Sequence, residues 1–534
     1  MKNKIVITFV CLFVYAGFCL AQGLFSKKSD ASTKLGYAVY AIESLYVDTV
    51  NEDELVEHAI ISLLEKLDPH SEYMTAKEAK EMNEPLQGNF EGIGIQFNML
   101  KDTLFIVQTI AGGPSEKVGI TAGDRIIAVN DSTVAGVKMS NSDIMKRLRG
   151  KKGTTVTVRV LRKGVNELID FKIIRDKIPI YSLDASYMID RKTGYIKLNR
   201  FASTTHDEFL KAFKELQAQG MKSLILDLQG NGGGYMTSAT DLAGEFLKKD
   251  QLVVYTEGIN QKKQTLNASG KGIFEKGNVI VLVDEGSASA SEILAGALQD
   301  WDRAVVVGRR TYGKGLVQRP IPFPDGSMMK LTTARYYTPS GRCIQKPYNE
   351  GEKKYEEDIL NRYKHGELTS PDSIHFADSL KYKTLASGRT VYGGGGIMPD
   401  YFVPMDTARY TDFHRNIIAK GALNRYTIDY FEKNRSDLKQ KYTNFDKFNK
   451  DFAVTNDMMQ GLLKAAEEDE VKFNEEQYNR SRKLIELQMK ALITQNLFDR
   501  NEYYRVINSE NDALNKAIEI IDNTKEYEKM LSGK

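Results

Sequence analysis

Three serines and a lysine stand close together in residues 278–318, NVIVLVDEGSASASEILAGALQDWDRAVVVGRRTYGKGLVQ. Ser287, Ser289 and Ser291 sit where an apolar, β-branched run (279–283) gives way to a helical pattern (about 291–298). A hydroxyl at such a junction faces the unpaired N–H groups and positive dipole of the helix start, which stabilise an alkoxide or oxyanion. A serine attacks only when a base takes its proton. Lys314 can be that base if burial lowers its pKa toward neutrality. It lies in the glycine-flanked turn YGKG, just beyond a second apolar run at 304–307. Taken singly these features are ordinary, because small-residue turns precede many helices and a lysine between glycines is usually solvated. In this order they point to a nucleophilic serine with a lysine base, the choice among the three serines remaining open.

The run GSASASEILAGALQD (286–300), with RTYGKGLVQ (310–318), resembles the C-terminal processing (tail-specific) serine peptidases, which use a Ser–Lys dyad. The resemblance makes Ser289 the nucleophile and Lys314 the general base, and puts Gln318 where a residue helps orient the lysine. It also implies an α/β multidomain chain: a crotonase-like α/β peptidase core with an inserted PDZ domain, a helical N-terminal segment and a helical C-terminal extension. No cofactor or metal is implied, and no cluster with metal-ligand spacing is present in the sequence.

The elements that would position these residues follow from periodicity. TGYIKLNRF reads as a strand, THDEFLKAFKELQAQG as an amphipathic helix, and KSLILDL (222–228) as a buried strand. This βαβ alternation predicts a parallel or mixed sheet with helices packed on it. The glycine run in QGNGGGYM (229–236) lacks the lysine and spacing of a phosphate cradle. In the family the equivalent loop gives one N–H to the oxyanion hole, which the resemblance carries to Gly233, with Gly232 as its near rival. The other donor is then the amide of Ala290. This chain has Gln229 where an arginine is usual. KLTTARYY (330–337) would line the cleft, residues 346–390 read as a charged, tyrosine-rich insertion, and GGGGIMPDYFVP (393–404) returns the chain to the core.

Residues 88–177 resemble a PDZ domain, carried by EGIGIQF (91–97) and GGPSEKVGITAGDRIIAVND (112–131). Gly92 and Gly94 allow a turn whose N–H groups converge on a terminal carboxylate. Ile93, Ile95 and Phe97 alternate as on a strand edge that a peptide can extend, so the expected peptide site is Gly92, Ile93, Gly94 and Ile95. A helix near 142–148 would form the other wall.

The expected division is a signal peptide at 1–21, a helical region at 22–87, the PDZ domain at 88–177, the peptidase core at 178–410 and a helical region at 411–534. Lys2 and Lys4 precede an apolar stretch (5–20) too short to read as a membrane span, which favours a cleaved leader over a retained anchor. Cys11 and Cys19 leave with it, and Cys343 alone remains as a bystander without a disulfide. His70, in LDPHSEYM, reads as a turn residue. The expected location is exported: the periplasm or outer envelope of a Gram-negative bacterium. A formal charge of +3 over 534 residues with no basic patch argues against nucleic acid. Expected partners are protein or peptide substrates with free C-termini. Past residue 410 glycine nearly vanishes, and that region reads either as a helical appendage with a solvated face or as a self-association or adaptor-docking module. A non-catalytic scaffold and an acyl-CoA enzyme of crotonase type are the rival classes. The intact Ser289, Lys314 and Gln318 oppose the first, and the leader and PDZ domain oppose the second.

Overall fold

The computed structural model describes residues 30–100 and 102–533, so the expected leader, with Cys11 and Cys19, lies outside the described residues. They divide into two compact units. The first, residues up to 75 with 320–331, holds α1 (Asp30–Leu45), α2 (Glu52–Leu64) and β1 (Glu72–Met74). The helical region expected at 22–87 is thus interrupted by a strand. Pro69 disfavours helical backbone at Asp68, and the Asp68 carboxylate accepts the N–H groups of His70 (2.9 Å) and Ser71 (3.0 Å), closing a turn. The chain then pairs antiparallel with residues 328–330.

The second unit opens with α3 (Ala76–Gln87) and β2 (Asn89–Gly92). A β-rich domain follows, with β3 (Ile95–Leu100), β4 (Thr103–Thr109), β5 (Arg125–Val129), α4 (Asn141–Leu148), β6 (Thr155–Leu161) and β7 (Ile169–Ile174). Its strands form one antiparallel sheet in the order β3-β4-β5-β6-β7. Leu104, Ile106, Ile126, Val158 and Ile173 make its core, closed by Ile144 and Leu148 of α4. β2 pairs antiparallel with β8 (Asp176–Pro179), so the chain enters and leaves this domain through one two-stranded stalk.

Next come β9 (Leu183–Met188), β10 (Thr193–Leu198), α5 (Thr205–Ala218), β11 (Ser223–Asp227), α6 (Met236–Gly244), β12 (Leu252–Gly258) and β13 (Gln261–Asn267). They continue into β14 (Val279–Val283), α7 (Ala290–Asp300), β15 (Val305–Gly308), β16 (Leu316–Pro322) and β17 (Met328–Tyr337). Two short helices, α8 (Glu352–Glu356) and α9 (Asp358–Lys364), precede β18 (Tyr401–Phe402). The central sheet runs β9-β10-β11-β14-β15-β18 and is parallel except for β9. Parallel strands bury both faces, and here successive residues alternate between two clusters. Leu224, Leu226, Val279, Val281 and Val283 pack with Phe209, Phe213, Leu242 and Leu294 of α5, α6 and α7.

The opposite face, with Ile225, Ile280, Leu282, Val305 and Val307, is covered by the end of the chain. α10 (Asp412–Ala419), α11 (Ala422–Lys441), α12 (Phe445–Asp451), α13 (Asn456–Glu468) and α14 (Glu475–Leu497) gather around a separate cluster that includes Phe413, Phe431, Phe448, Leu462 and Ile485. After α15 (Arg500–Ile507), α16 (Asp512–Asp522) and α17 (Thr524–Ser532) place Leu514, Ala517, Ile520, Ile521 and Tyr527 against the central sheet. Neither reading of the region past 410 foresaw this: its last helices are the second layer of the core. The helical cluster also touches the β-rich domain, where Phe105 of β4 and Ile428 of α11 bury one another and Arg435 donates to the Ala122 carbonyl at 3.0 Å. No helix among the described residues is long and apolar enough to cross a membrane.

Removing contacts on this second face should cost stability as a core deletion does. Ile520→Ala is expected to lose about 2–5 kcal/mol of unfolding free energy. Tyr527→Phe removes a hydroxyl that accepts the Val279 N–H (2.9 Å) and lies 3.1 Å from its carbonyl, and should cost about 1–3 kcal/mol. Urea unfolding followed by the fluorescence of Trp301 measures both, and wild-type midpoints would show that α16 and α17 are not core elements.

Candidate active site

The three serines separate once their surroundings are considered. Ser287 is fully buried, and its hydroxyl donates to the Leu228 carbonyl (2.8 Å) while accepting the Asp284 N–H (3.0 Å). Ser291 is equally buried and donates to the Asn231 carbonyl at 2.8 Å. Both hydroxyls hold the strand-to-helix turn together. Ser289 alone is partly exposed, and its backbone is unusual: φ is 56° and ψ −111°. A non-glycine residue in that region is strained, a state that persists only where the surroundings enforce it. The turn lifts Ser289 to the N-terminus of α7, directly before Ala290, whose N–H has no hydrogen-bond acceptor among the described residues.

A single buried carboxylate enforces this geometry. Glu292, in the first turn of α7, accepts the Ser289 N–H on Oε2 at 2.8 Å and the Lys314 N–H on the same oxygen at 2.9 Å. Its Oε1 accepts the Gly313 N–H at 2.7 Å and the Thr311 hydroxyl at 2.5 Å. Desolvation pushes its pKa up to about 7, against the pull of these four donors toward the ionised form. Tyr336, on β17, makes the converse link, its hydroxyl lying 3.1 Å from the Ser289 carbonyl and 2.5 Å from that of Lys314. The two residues expected to do chemistry are therefore joined through both poles of their peptide groups. The sequence reading passed over Glu292 and Tyr336. The Ser-x-x-Glu spacing of a capping box was the available signal for Glu292; Tyr336 carries none.

The rest of the Lys314 turn is tied down as closely. The Tyr312 N–H donates to the Ser287 carbonyl (3.0 Å), Gly315 N–H to Gln345 Oε1 (2.8 Å), and the Gly315 carbonyl accepts from Tyr336 (2.9 Å). Gln318, on β16, directs its amide to Thr332 Oγ1 on the neighbouring β17 at 3.5 Å. The insertion at 346–390 does not stand apart as its composition suggests: Lys346 N–H donates to the Gly313 carbonyl at 2.9 Å, and Arg362 reaches the carbonyls of residues 310 and 311.

The glycine loop comes to Ser289 but not with a free donor at the expected place. A Cβ on Gly233 would lie 2.7 Å from the Ala288 carbonyl oxygen and 2.9 Å from Ser289 Cβ, and its φ is +100°, so only glycine fits. Its N–H, assigned above to the oxyanion hole, instead donates to Asn231 Oδ1 at 2.9 Å. Asn231 folds back on the chain two residues on, as asparagine readily does. Gly232, the near rival, is exposed, with open space around it. Gln229, where the family pattern has an arginine, accepts from Asn511 Nδ2 on its Oε1 at 3.0 Å. A cavity of about 480 Å³ is lined there by Lys197, Asp227, Gln229 and Arg409; neither Ser289 nor Lys314 belongs to its wall.

In the β-rich domain Gly94 has φ +74°, as a tight turn needs, whereas Gly92 ends β2 opposite Asp176 and takes no left-handed conformation. Ladder pairing draws Gly92 out of the expected loop. Ile93 is buried, Ile95 begins β3, and among the described residues β3 pairs on one side only, with β4. No group of three or more His, Cys, Asp or Glu among the described residues is placed to hold a metal ion.

The model of peptidase family S41 matches residues 192–353, and that of the PDZ domain matches residues 92–173. A third, a family of unknown function, matches residues 413–499. The carboxy-terminal processing protease CtpB of Bacillus subtilis is 36% identical over 326 residues, 60% of this chain and 67% of that protein. The carboxy-terminal-processing protease of Bartonella bacilliformis is 33% identical over 355 residues, 65% of this chain and 81% of that one. Among solved structures, the photosystem II D1 C-terminal processing protease is 28% identical and covers 60% of this chain and 91% of its own, with a TM-score of 0.34. The chain belongs to peptidase family S41 and is a serine peptidase of the carboxy-terminal processing type that carries a PDZ domain.

Proposed function

We propose that Ser289 and Lys314 form a Ser–Lys dyad that cuts exported proteins near accessible, partly apolar C-terminal tails. The observation that carries this reading is the Glu292 carboxylate, which holds the peptide N–H of both residues on one oxygen. Lys314, in its neutral form, takes the proton of Ser289 Oγ, which attacks the scissile carbonyl. The Ala290 N–H at the start of α7 receives the developing oxyanion. Gly233 is the second donor once Asn231 Oδ1 releases it. The acyl-enzyme forms as Lys314 protonates the leaving amine, and water then hydrolyses the ester.

The surrounding assignments rest on separate features. The open edge of β3, beside Gly94 and Ile95, supports addition of a substrate tail as an extra strand. A parallel sheet with helices on both faces supports a crotonase-like core, within the division 22–87, 88–177, 178–410 and 411–534 given above. Any adaptor docking or self-association falls to α10–α14, because α16 and α17 are taken up by the core. The lysine-headed apolar leader supports export, and on it we assign the periplasm or outer envelope of a Gram-negative cell.

Cleavage of an unstructured protein with an apolar C-terminus tests the dyad. Ser289→Ala should abolish turnover, and Lys314→Ala should lower kcat by about 10²–10⁴-fold. Activity surviving in Ser289→Ala would remove it as the nucleophile.

Glu292 adds a pH dependence. Its carboxyl titrates near 7. Above that pH it accepts all four donors; below it, a proton on one oxygen confronts the N–H groups it should receive. The kcat of the wild type should therefore fall on the acid side with a component centred near pH 7. Glu292→Gln cannot titrate, so it should lack that component and be uniformly slower by about 10²-fold, the usual cost of a small misplacement. An unchanged acid limb in Glu292→Gln would remove the carboxylate from the mechanism.

A further inference from the structure

The insertion at 346–390 buries two cations against the outer side of the turn that carries Lys314. Arg362, on α9, is 2% exposed. Its Nη1 donates to the Thr311 carbonyl at 3.1 Å and its Nη2 to the Arg310 carbonyl at 2.6 Å. A guanidinium presents donors in a rigid fork, and two consecutive carbonyls match that fork in a way an ammonium cannot. The burial is costly. Desolvation, and then the nearby Arg310, draw the Arg362 pKa down to about 10, and Glu367 Oε2 stands no nearer than 3.6 Å from its Nε. A charge held at such a cost fixes whatever it grips.

What it grips leads directly to the dyad. Thr311, one of the two residues held, donates its hydroxyl to Glu292 Oε1 and accepts the Ile397 N–H on the same oxygen at 2.7 Å. Glu292 in turn takes the N–H groups of Gly313, Lys314 and Ser289. Lys346 braces the same turn. Its N–H donates to the Gly313 carbonyl, and its ammonium lies 4.0 Å from the ring centres of both Tyr312 and Tyr355 while bonding Asp358 at 3.0 Å. We propose that Arg362 is a positioning residue for the general base, its fork on the Arg310 and Thr311 carbonyls setting the turn from which Lys314 reaches Ser289. The inference rests on the reading of Lys314 as the base.

The test uses the full chain with Arg362→Lys and Arg362→Ala beside Lys314→Ala, measuring kcat, KM and the pH profile of kcat on one unstructured substrate. Lysine keeps the charge and loses the fork; alanine loses both. Both arginine variants are expected to lower kcat at least tenfold with KM changed less than twofold. A relaxed turn alters the surroundings of both Lys314 and Glu292, so the acid limb of kcat should shift by half a pH unit or more. Methylguanidinium added to Arg362→Ala should restore part of kcat. If Arg362→Ala does not fold, Arg362→Lys decides the matter through its pH profile. Wild-type kcat and pH profile in Arg362→Lys, with Lys314→Ala inactive, would overturn the assignment of Arg362 alone. Full activity in Lys314→Ala would overturn the dyad and this inference together. Loss of activity in strict proportion to loss of folded protein, with the pH profile unmoved, would reduce Arg362 to a structural residue and overturn the proposal.

Discussion

One carboxylate organises the catalytic region. Glu292 lies within the first turn of α7, fully buried, and receives donors from the residue that begins the helix and from a turn about twenty residues further along the chain. A buried carboxylate with fewer partners would be costly in so dry a place. With four it becomes a fixed point. The strained backbone of Ser289 persists because its N–H is anchored there, its carbonyl lies within reach of Tyr336, and its neighbours Ser287 and Ser291 are pinned to the loops below.

That local order depends on a sheet that cannot move. The strands that deliver Ser289 and the Lys314 turn, β14 and β15, are apolar on both faces, so each face needs a cover. α5, α6 and α7 supply one and α16 and α17 the other. The turns at residues 289 and 314 thus depend on packing supplied about two hundred residues later, by α16 and α17. The intervening helices α10–α14 form their own cluster and give the β-rich domain a second attachment beyond its two-stranded stalk.

The sequence was most legible where chemistry and local pattern coincide. The run VIVLV, the small-residue turn and the helix behind it can be read residue by residue, and the family resemblance chose among three serines that spacing left equal. In the structure the three differ in their surroundings: Ser287 and Ser291 have their hydroxyls in structural bonds, and Ser289 is partly exposed. Glu292 was readable only as a cap, because nothing local shows that its second oxygen meets a distant turn. Arg362 was hidden further, as one cation among many in a charged insertion. DALNKAIEIID shows helical spacing, yet periodicity says that a face is apolar and not what lies against it. Gly92 misled in the opposite sense, for a Gly-x-Gly pair suggests a loop while ladder pairing with Asp176 makes its first glycine a strand end.

The bond between the Gly233 N–H and Asn231 Oδ1 has a consequence for selectivity along the reaction coordinate. A buried amide left bare would be penalised, and the asparagine oxygen serves as a neutral placeholder. A substrate carbonyl, itself neutral, gains little by displacing it. An oxyanion forms a charge-assisted bond about twice as strong. Under the proposed mechanism the donor would thereby be withheld from the ground state and released to the tetrahedral intermediate, a differential binding that requires the buried Asn231 side chain, whose Nδ2 also donates to the Leu198 carbonyl at 3.0 Å, to give way.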